Sequence, residues 1–420
     1  MKLAPWCSAT TPRWQRRAIR TIGYTASGSG FPPSLQGQTG LELPFYKVKH
    51  LAQSDERGAL TSADDSIDRE TAAKLGANVF PAGTLVYAKV GAALMLSRVR
   101  TLPVAACIDN NMAGLTPDDG VDPRFLFWAM SQVRFDYLVN PGAVPSLSDR
   151  NLLDYPLLVP PLDEQRAIAD FLDRETARID TLIEEQQRLI ELLRERKDTE
   201  WTSLLAEAQK SGSSIPVKRI LSSIVDGPFG SSLTSAHYSD DGARVIRLGN
   251  IGINEFRGAD TAYIPLDYAA ELEAHSVSAG DVVIAGLGDD RMPLGRAAVV
   301  PEVGPAIVKA DCYRARPREG VSPEYLSWAL SAPTTRSQIM LLARGATRAR
   351  LNTAVVQQVI IPVPAPKVQD EILARWKRSA AKVDALTAEA EKFIDLSHER
   401  RSALITAAVT GQIDVRDQVA

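Results

Sequence analysis

The sequence predicts an α/β protein built twice: two copies of one β-rich unit carried on two long helices that pair as an antiparallel coiled coil. Three observations predict it. Segments recur at a nearly constant offset along the 420 residues, each copy opens with short apolar runs broken by glycine and proline, and each copy closes on a long heptad-patterned stretch. A repeat is sought first because a duplicated unit settles the architecture before any element is assigned.

Phe125-Leu126-Phe127-Trp128-Ala129-Met130-Ser131 returns as Tyr325-Leu326-Ser327-Trp328-Ala329-Leu330-Ser331, an offset of 200. Phe45-Tyr46-Lys47-Val48 aligns with Val245-Ile246-Arg247-Leu248 at the same offset, and Gly83-Thr84-Leu85-Val86-Tyr87 parallels Gly280-Asp281-Val282-Val283-Ile284. Downstream the offset drifts to 204, where Ile179-Asp180-Thr181-Leu182 matches Val383-Asp384-Ala385-Leu386 and Glu195-Arg196-Lys197 matches Glu399-Arg400-Arg401. Small drifts with preserved order are what loop insertions do to a duplicated fold.

Within each copy the elements follow in one order. Leu85-Val86-Tyr87-Ala88 and Val282-Val283-Ile284-Ala285 are apolar runs bounded by glycine, which suits buried strands. Pro123 and Pro323 each open a short helix, the position where a fixed φ and a missing N–H do no harm. Trp128 and Trp328 on those helices read as core. Pro-rich strand-like passages follow, at Tyr155–Pro161 and Val359–Pro366. From Asp163 to about Gln209 there is neither glycine nor proline, and Ile168, Leu172, Ile179, Leu182, Leu189 and Leu193 form a seam at alternating three- and four-residue steps; Ile372, Trp376, Val383, Leu386, Ala390 and Phe393 repeat it. About 45 helical residues make a rod of roughly 65 Å. With the rods antiparallel, the two copies would be related by a pseudo-two-fold axis, an arrangement that suits a target of two half-sites in opposite orientation. Lys210–Pro216 is a small polar linker.

Composition narrows the class. With 45% hydrophobic and 24% charged residues the chain reads as globular, and no apolar run approaches the roughly 20 residues of a membrane helix. Arg13, Arg16, Arg17 and Arg20 are not followed by a continuous apolar stretch, so the N-terminus does not read as a secretory signal. Three cysteines (Cys7, Cys107, Cys312) without a pairing motif argue for a reducing compartment, and the cytoplasm is expected. A net charge of −3 means that any positive surface is local or supplied by a partner.

Catalytic signatures are missing. There is no Gly-Lys-Ser/Thr phosphate loop, and Gly28-Ser29-Gly30 meets Pro33 where a dinucleotide fingerprint needs its third glycine. The four histidines have no metal-ligand spacing. Asn140-Pro141-Gly142 lacks the second proline and the aromatic residue of an adenine-methylating loop, and Asp118-Asp119 has no Glu-X-Lys partner of a nuclease. No catalytic residue and no metal ligand is therefore assigned.

Two loops hold equivalent places, Pro141–Ser148 and Arg344–Asn352. The second surrounds small residues with Arg344, Arg348 and Arg350 and ends at Asn352, a set suited to phosphate contact or bidentate guanine reading. The first offers Ser146 with Arg150 nearby. Both could equally be turns into the following strand. Gly28–Phe31 and Asp226–Ser232 also correspond, and read as turns or as close approaches to phosphate.

Leu158-Val159-Pro160-Pro161-Leu162-Asp163-Glu164-Gln165-Arg166-Ala167-Ile168, running into Arg178–Leu182, resembles the central region of specificity subunits of type I restriction-modification systems, and Leu404–Val415 resembles their C-terminal signature. The resemblance covers essentially the whole chain. It implies target recognition domains at 1–160 and 212–362, and spacer helices at 161–211 and 363–420 that set the length of an unread gap in a bipartite, asymmetric DNA target. It implies docking of two DNA methyltransferase subunits, for which Glu164, Gln165 and Gln369 are the candidates; Pro366-Lys367-Val368-Gln369 keeps only the last residue of the first helix's Leu-X-Glu-Gln. It further implies that S-adenosylmethionine, ATP and Mg²⁺ act in partner methyltransferase and motor-nuclease subunits, with no cofactor in this chain. Three other readings stay open on the residues alone: the specificity subunit of a related methylation or cleavage system, a coiled-coil scaffold with no role on DNA, and an enzyme with an unfamiliar catalytic constellation.

Overall fold

The computed structural model describes residues 13–55, 57–140, 142–289, 291–343 and 350–415, the side chain of Ser231 excepted. Two compact units emerge, one of residues 1–187 with 392–420, the other of residues 188–391. The division cuts both long helices, Leu162–Ser211 and Pro366–Val409, so each unit contains part of each. Among the described residues no helix is long and apolar enough to cross a membrane.

In the first unit Gln15–Ala18 pairs antiparallel with Pro156–Val159, so the unit's first and last strands close on each other just before the long helix begins. A four-stranded antiparallel sheet has the order Gly23–Ser27, Met112–Pro117, Leu85–Ala88, Val99–Thr101. A smaller sheet sets Leu43–Tyr46 between antiparallel Asp65–Ile67 and parallel Cys107–Ile108. Every residue of Leu85–Ala88 is buried, which explains the unbroken apolar run, because Pro123–Ser131 lies in the same core. That helix starts as its sequence dictates: Pro123 occupies the first turn and the Asp122 carboxylate accepts from the N–H groups of Arg124 and Phe125 at 2.9 and 3.2 Å. Its Phe125, Leu126, Trp128 and Met130 join Ile168 and Leu172 of the first long helix and Ile405 and Ala408 of the second.

The second unit repeats the plan. Gly212–Pro216 pairs with Ile360–Pro364; the larger sheet runs Leu221–Val225, Cys312–Pro317, Val282–Ala285, Ala297–Val299; the smaller holds Tyr263–Ile264, Ala243–Ile246, Ala306–Val308 and Ser276–Val277. Substitutions at matching places keep the chemistry paired. The buried hydrogen bond between Thr84 and Thr116, 3.0 Å long, becomes an ion pair of Asp281 with Arg316 at 2.8 Å.

Within each unit the helix segments run antiparallel. Asp180 meets Arg401 at 3.0 Å in the first; Lys197 meets Asp384 at 2.5 Å and Glu207 meets Arg375 at 2.7 Å in the second, one number rising as the other falls. These exposed pairs add little stability, and the buried seam carries the packing. Its phase differs from the sequence reading. Leu189, Leu386 and Phe393 are exposed, while Ile183 and Ile190 are buried. The reason lies at residue 176: a three-residue step would bury the charged Glu175, whereas Thr176 buries by donating its hydroxyl to the Leu172 carbonyl at 2.6 Å. The helix takes the four-residue step, and alternate seam positions move by one, from Leu182 to Ile183 and from Leu189 to Ile190, while Ile179 and Leu193 stay buried as expected.

Candidate nucleic-acid interface

In each unit the exit of the fully buried strand (Leu85–Ala88 or Val282–Ala285), the loop before the last short helix and the glycine loop converge. In the first, Lys89 and Val90 leave the strand; Leu147 donates to the Lys89 carbonyl and Gly91 to that of Pro145, both at 2.8 Å, and Val90 bridges Ser146. The Lys89 ammonium reaches the Ser27 hydroxyl at 2.8 Å, and Asn78 donates to the Ser27 carbonyl at 2.9 Å. In the second, Leu351 donates to Gly286 at 2.9 Å and Leu287 bridges Arg350. Arg350 therefore stands where Ser146 stands in the first unit, and Gly286 stands in the place of Lys89.

The glycine loops are placed by close contacts inside the protein. A Cβ on Gly28 would lie 2.0 Å from the Asp109 carbonyl oxygen, and one on Gly227 would lie 2.1 Å from the Lys309 carbonyl carbon. Only glycine lets these backbones approach, so the corresponding loops are anchored to the same turn in both copies.

Around Arg350 the second unit is well defined. Its Nε donates to Asp311 Oδ1 at 2.7 Å and its guanidinium lies 5.7 Å from the Phe229 ring centroid. Asp311 holds a left-handed φ of 65° and donates its N–H to Asp226 at 3.0 Å. Burial pushes the Asp226 carboxyl above the usual carboxylate range, although the N–H groups of Gly227 and Asp311 oppose the shift. Beneath, the Tyr313 hydroxyl donates to the Leu351 carbonyl, and burial raises the Cys312 thiol to about 12. Cys107 is likewise buried and raised to about 11, so both thiols stay protonated at neutral pH. What this surface offers a ligand is hydrogen bonding, positive charge and an exposed aromatic ring. Among the described residues no group of three metal-ligating side chains forms.

The other expected site residues fall as follows. Arg344 and Arg348 lie outside the described residues, as do residues 1–12 and Pro141. Asn352 caps the helix Thr353–Gln358, its side-chain oxygen accepting from Val355 N–H at 2.8 Å, and Ser148 caps the matching helix of the first unit. Ser146 is half-buried in a two-stranded pairing with Asn140. The Arg150 side chain is 91% exposed and only 4.0 Å from Asp154 at its nearest charged neighbour.

The docking candidates need correction. Gln165 and Gln369 are 1% and 0% exposed, and each is enclosed by its own unit. Gln165 accepts from Asp122 N–H at 2.8 Å and donates to the carbonyls of Gly120 and Pro160; Gln369 accepts from Ser322 N–H at 3.0 Å and donates to those of Gly320 and Pro364. Glu164 is also buried and accepts from the Trp14 indole at 3.0 Å. None of the three can offer its side chain to another protein; the two glutamines instead fasten the short helix and last strand of each unit to the start of a long helix. Of the companions of Arg350, Phe229 lies in the glycine loop already singled out in the sequence, while Asp311 went unassigned. The offset of 200 that aligns the tryptophan helices places Asp311 opposite Asn111, and would have marked that turn as a shared part of the surface.

The sequence profile described as "Type I restriction modification DNA specificity domain" matches residues 30–193. The StySPI specificity subunit of Salmonella potsdam is 26% identical over 177 residues, 42% of this chain, and the MjaVIII specificity subunit of Methanocaldococcus jannaschii is 20% identical over 321 residues, 71% of this chain. This chain is similar to the specificity subunits of type I restriction enzymes. The matched part spans 38% of the length of the StySPI subunit and 72% of the MjaVIII subunit. A chain from a solved type I restriction-modification system shares the fold of this protein with a TM-score of 0.69 at 14% identity, covering 96% of this chain and 99% of its own. The duplicated α/β plan with its two long helices is thus shared with that chain.

Proposed function

We propose that this chain is a specificity subunit that reads a bipartite, asymmetric duplex target, one half with each unit, and that it performs no chemistry itself. One observation carries the reading: the same fold occurs twice, and the equivalent surface position holds Ser146 in one copy and Arg350 in the other. A repeated scaffold with unlike contact residues recognises two unlike half-sites. Readout would take place in the major groove, where all four base pairs are distinguishable, with lysines and arginines on phosphates fixing register. Affinity then falls steeply with salt.

The partners are two DNA methyltransferase subunits that methylate adenine N6 with S-adenosylmethionine, joined by motor-nuclease subunits that use ATP and Mg²⁺; the place of action is the cytoplasm. The target adenine has to leave the base stack to be methylated, and presenting it is the common task of this subunit and its partners. Mapping N6-methyladenine across the genome with and without the gene tests the reading. Loss of methylation at one split motif is expected, and an unchanged methylation map would overturn it.

A further inference from the structure

We propose that Arg350, held in place by Asp311 and Phe229, reads a guanine in the half-site recognised by the second unit. This rests on the reading of the chain as a DNA-sequence reader and names the residue and the base.

A guanidinium selects guanine when the fork of its two terminal nitrogens meets O6 and N7 in plane. Arg350 is built for that. Its Nε is engaged by Asp311 at 2.7 Å, on the side away from the fork, and its guanidinium carbon lies over the Phe229 ring, 5.7 Å from the centroid. The side chain is 53% exposed, and among the described residues its two terminal nitrogens make no hydrogen bond. The support is itself supported. Asp311 is one of three non-glycine residues with positive φ among those described, and Asp226 grips its N–H. A phosphate contact would need none of this, because a phosphate accepts a point charge from many directions, and a neighbouring carboxylate weakens the attraction. The carboxylate costs little if the arginine serves alignment, and much if it serves only charge. At the equivalent place the first unit has Ser146 and Asn111, so the guanine belongs to one half of the target alone.

The test uses the full-length chain purified with its co-expressed partner subunits, and a pool of duplexes randomised across both half-sites, with the bound fraction sequenced. The unaltered protein should enrich one split sequence with a guanine in the second unit's half. Arg350→Lys and Arg350→Ala should lose preference at that single position, on the order of 10- to 100-fold, while the other half-site is still enriched, which also reports an intact fold. Asp311→Asn should lose part of the preference at the same position. An unchanged enriched sequence with uniformly weaker recovery would make Arg350 a phosphate contact and overturn the assignment. Enrichment of no sequence by the unaltered protein would instead overturn the DNA-reading function on which the assignment stands.

Discussion

A buried carboxamide is useful only where its donors and acceptor all find partners, and Gln165 and Gln369 meet that condition in the same way. Each gives both amide hydrogens to carbonyls and takes one backbone N–H, tying together the turn before a helix, that helix's cap residue and the end of a strand. Removing the side chain leaves three polar backbone groups without partners in a site that excludes water. Gln369→Ala should therefore cost about 2–4 kcal/mol, read by urea denaturation of the full chain. Gln369→Glu should cost more, since it sets a carboxylate oxygen against the carbonyls of Gly320 and Pro364. A variant as stable as the parent but weaker in assembly would return the residue to a docking role. In sequence such a glutamine is indistinguishable from a solvated one, because a polar residue in a helix's first turn follows no burial periodicity. The burial of Gln165 and Gln369, both docking candidates by resemblance, was hidden for that reason, while their recurrence at an offset of 204 was a true signal of shared structure.

The tryptophans show the same logic for whole elements. Trp376 was legible as a seam residue from its spacing, and Trp328 as core from its apolar neighbours. Trp201 carried no motif, yet its ring centroid lies 4.3 Å from that of Trp376 and 6.1 Å from that of Trp328. It joins the long helices to the second unit's short helix in one cluster. Trp201→Ala should destabilise the chain by about 3–5 kcal/mol, with a loss of protection from proteolysis confined to the second unit, where limited digestion followed by mass spectrometry would find it. Strands and helices were readable because they repeat a local period, two residues or three and a half. The seam's phase was not, because Leu182 and Ile183, or Leu189 and Ile190, satisfy the counting equally well, and the choice falls to whether Glu175 or Thr176 can be buried. Strand pairing between Gln15–Ala18 and Pro156–Val159 was equally hidden, since contacts across some 140 residues leave no local trace.

For the molecule as a whole, duplication assigns distinct tasks to the parts. Surface loops differ between the copies, whereas the glutamine clamps and the tryptophan-bearing helices are retained, so what the chain reads can change without altering how it is built. The long helices are proposed to be the measure of the target. If they set the unread gap, adding one heptad after residue 187 of the first and one after residue 391 of the second keeps every seam residue in phase and lengthens each rod by about 10 Å. At about 3.4 Å per base pair, the unread gap should grow by about three base pairs while both half-sites stay the same. Methylation mapping of cells carrying the lengthened chain would show it. An insertion of two residues per helix, which breaks the seam, should abolish methylation instead of shifting the gap. If the heptad variant methylates the original target, then the gap is fixed by the partner subunits and the helices serve only to hold the two units in one chain.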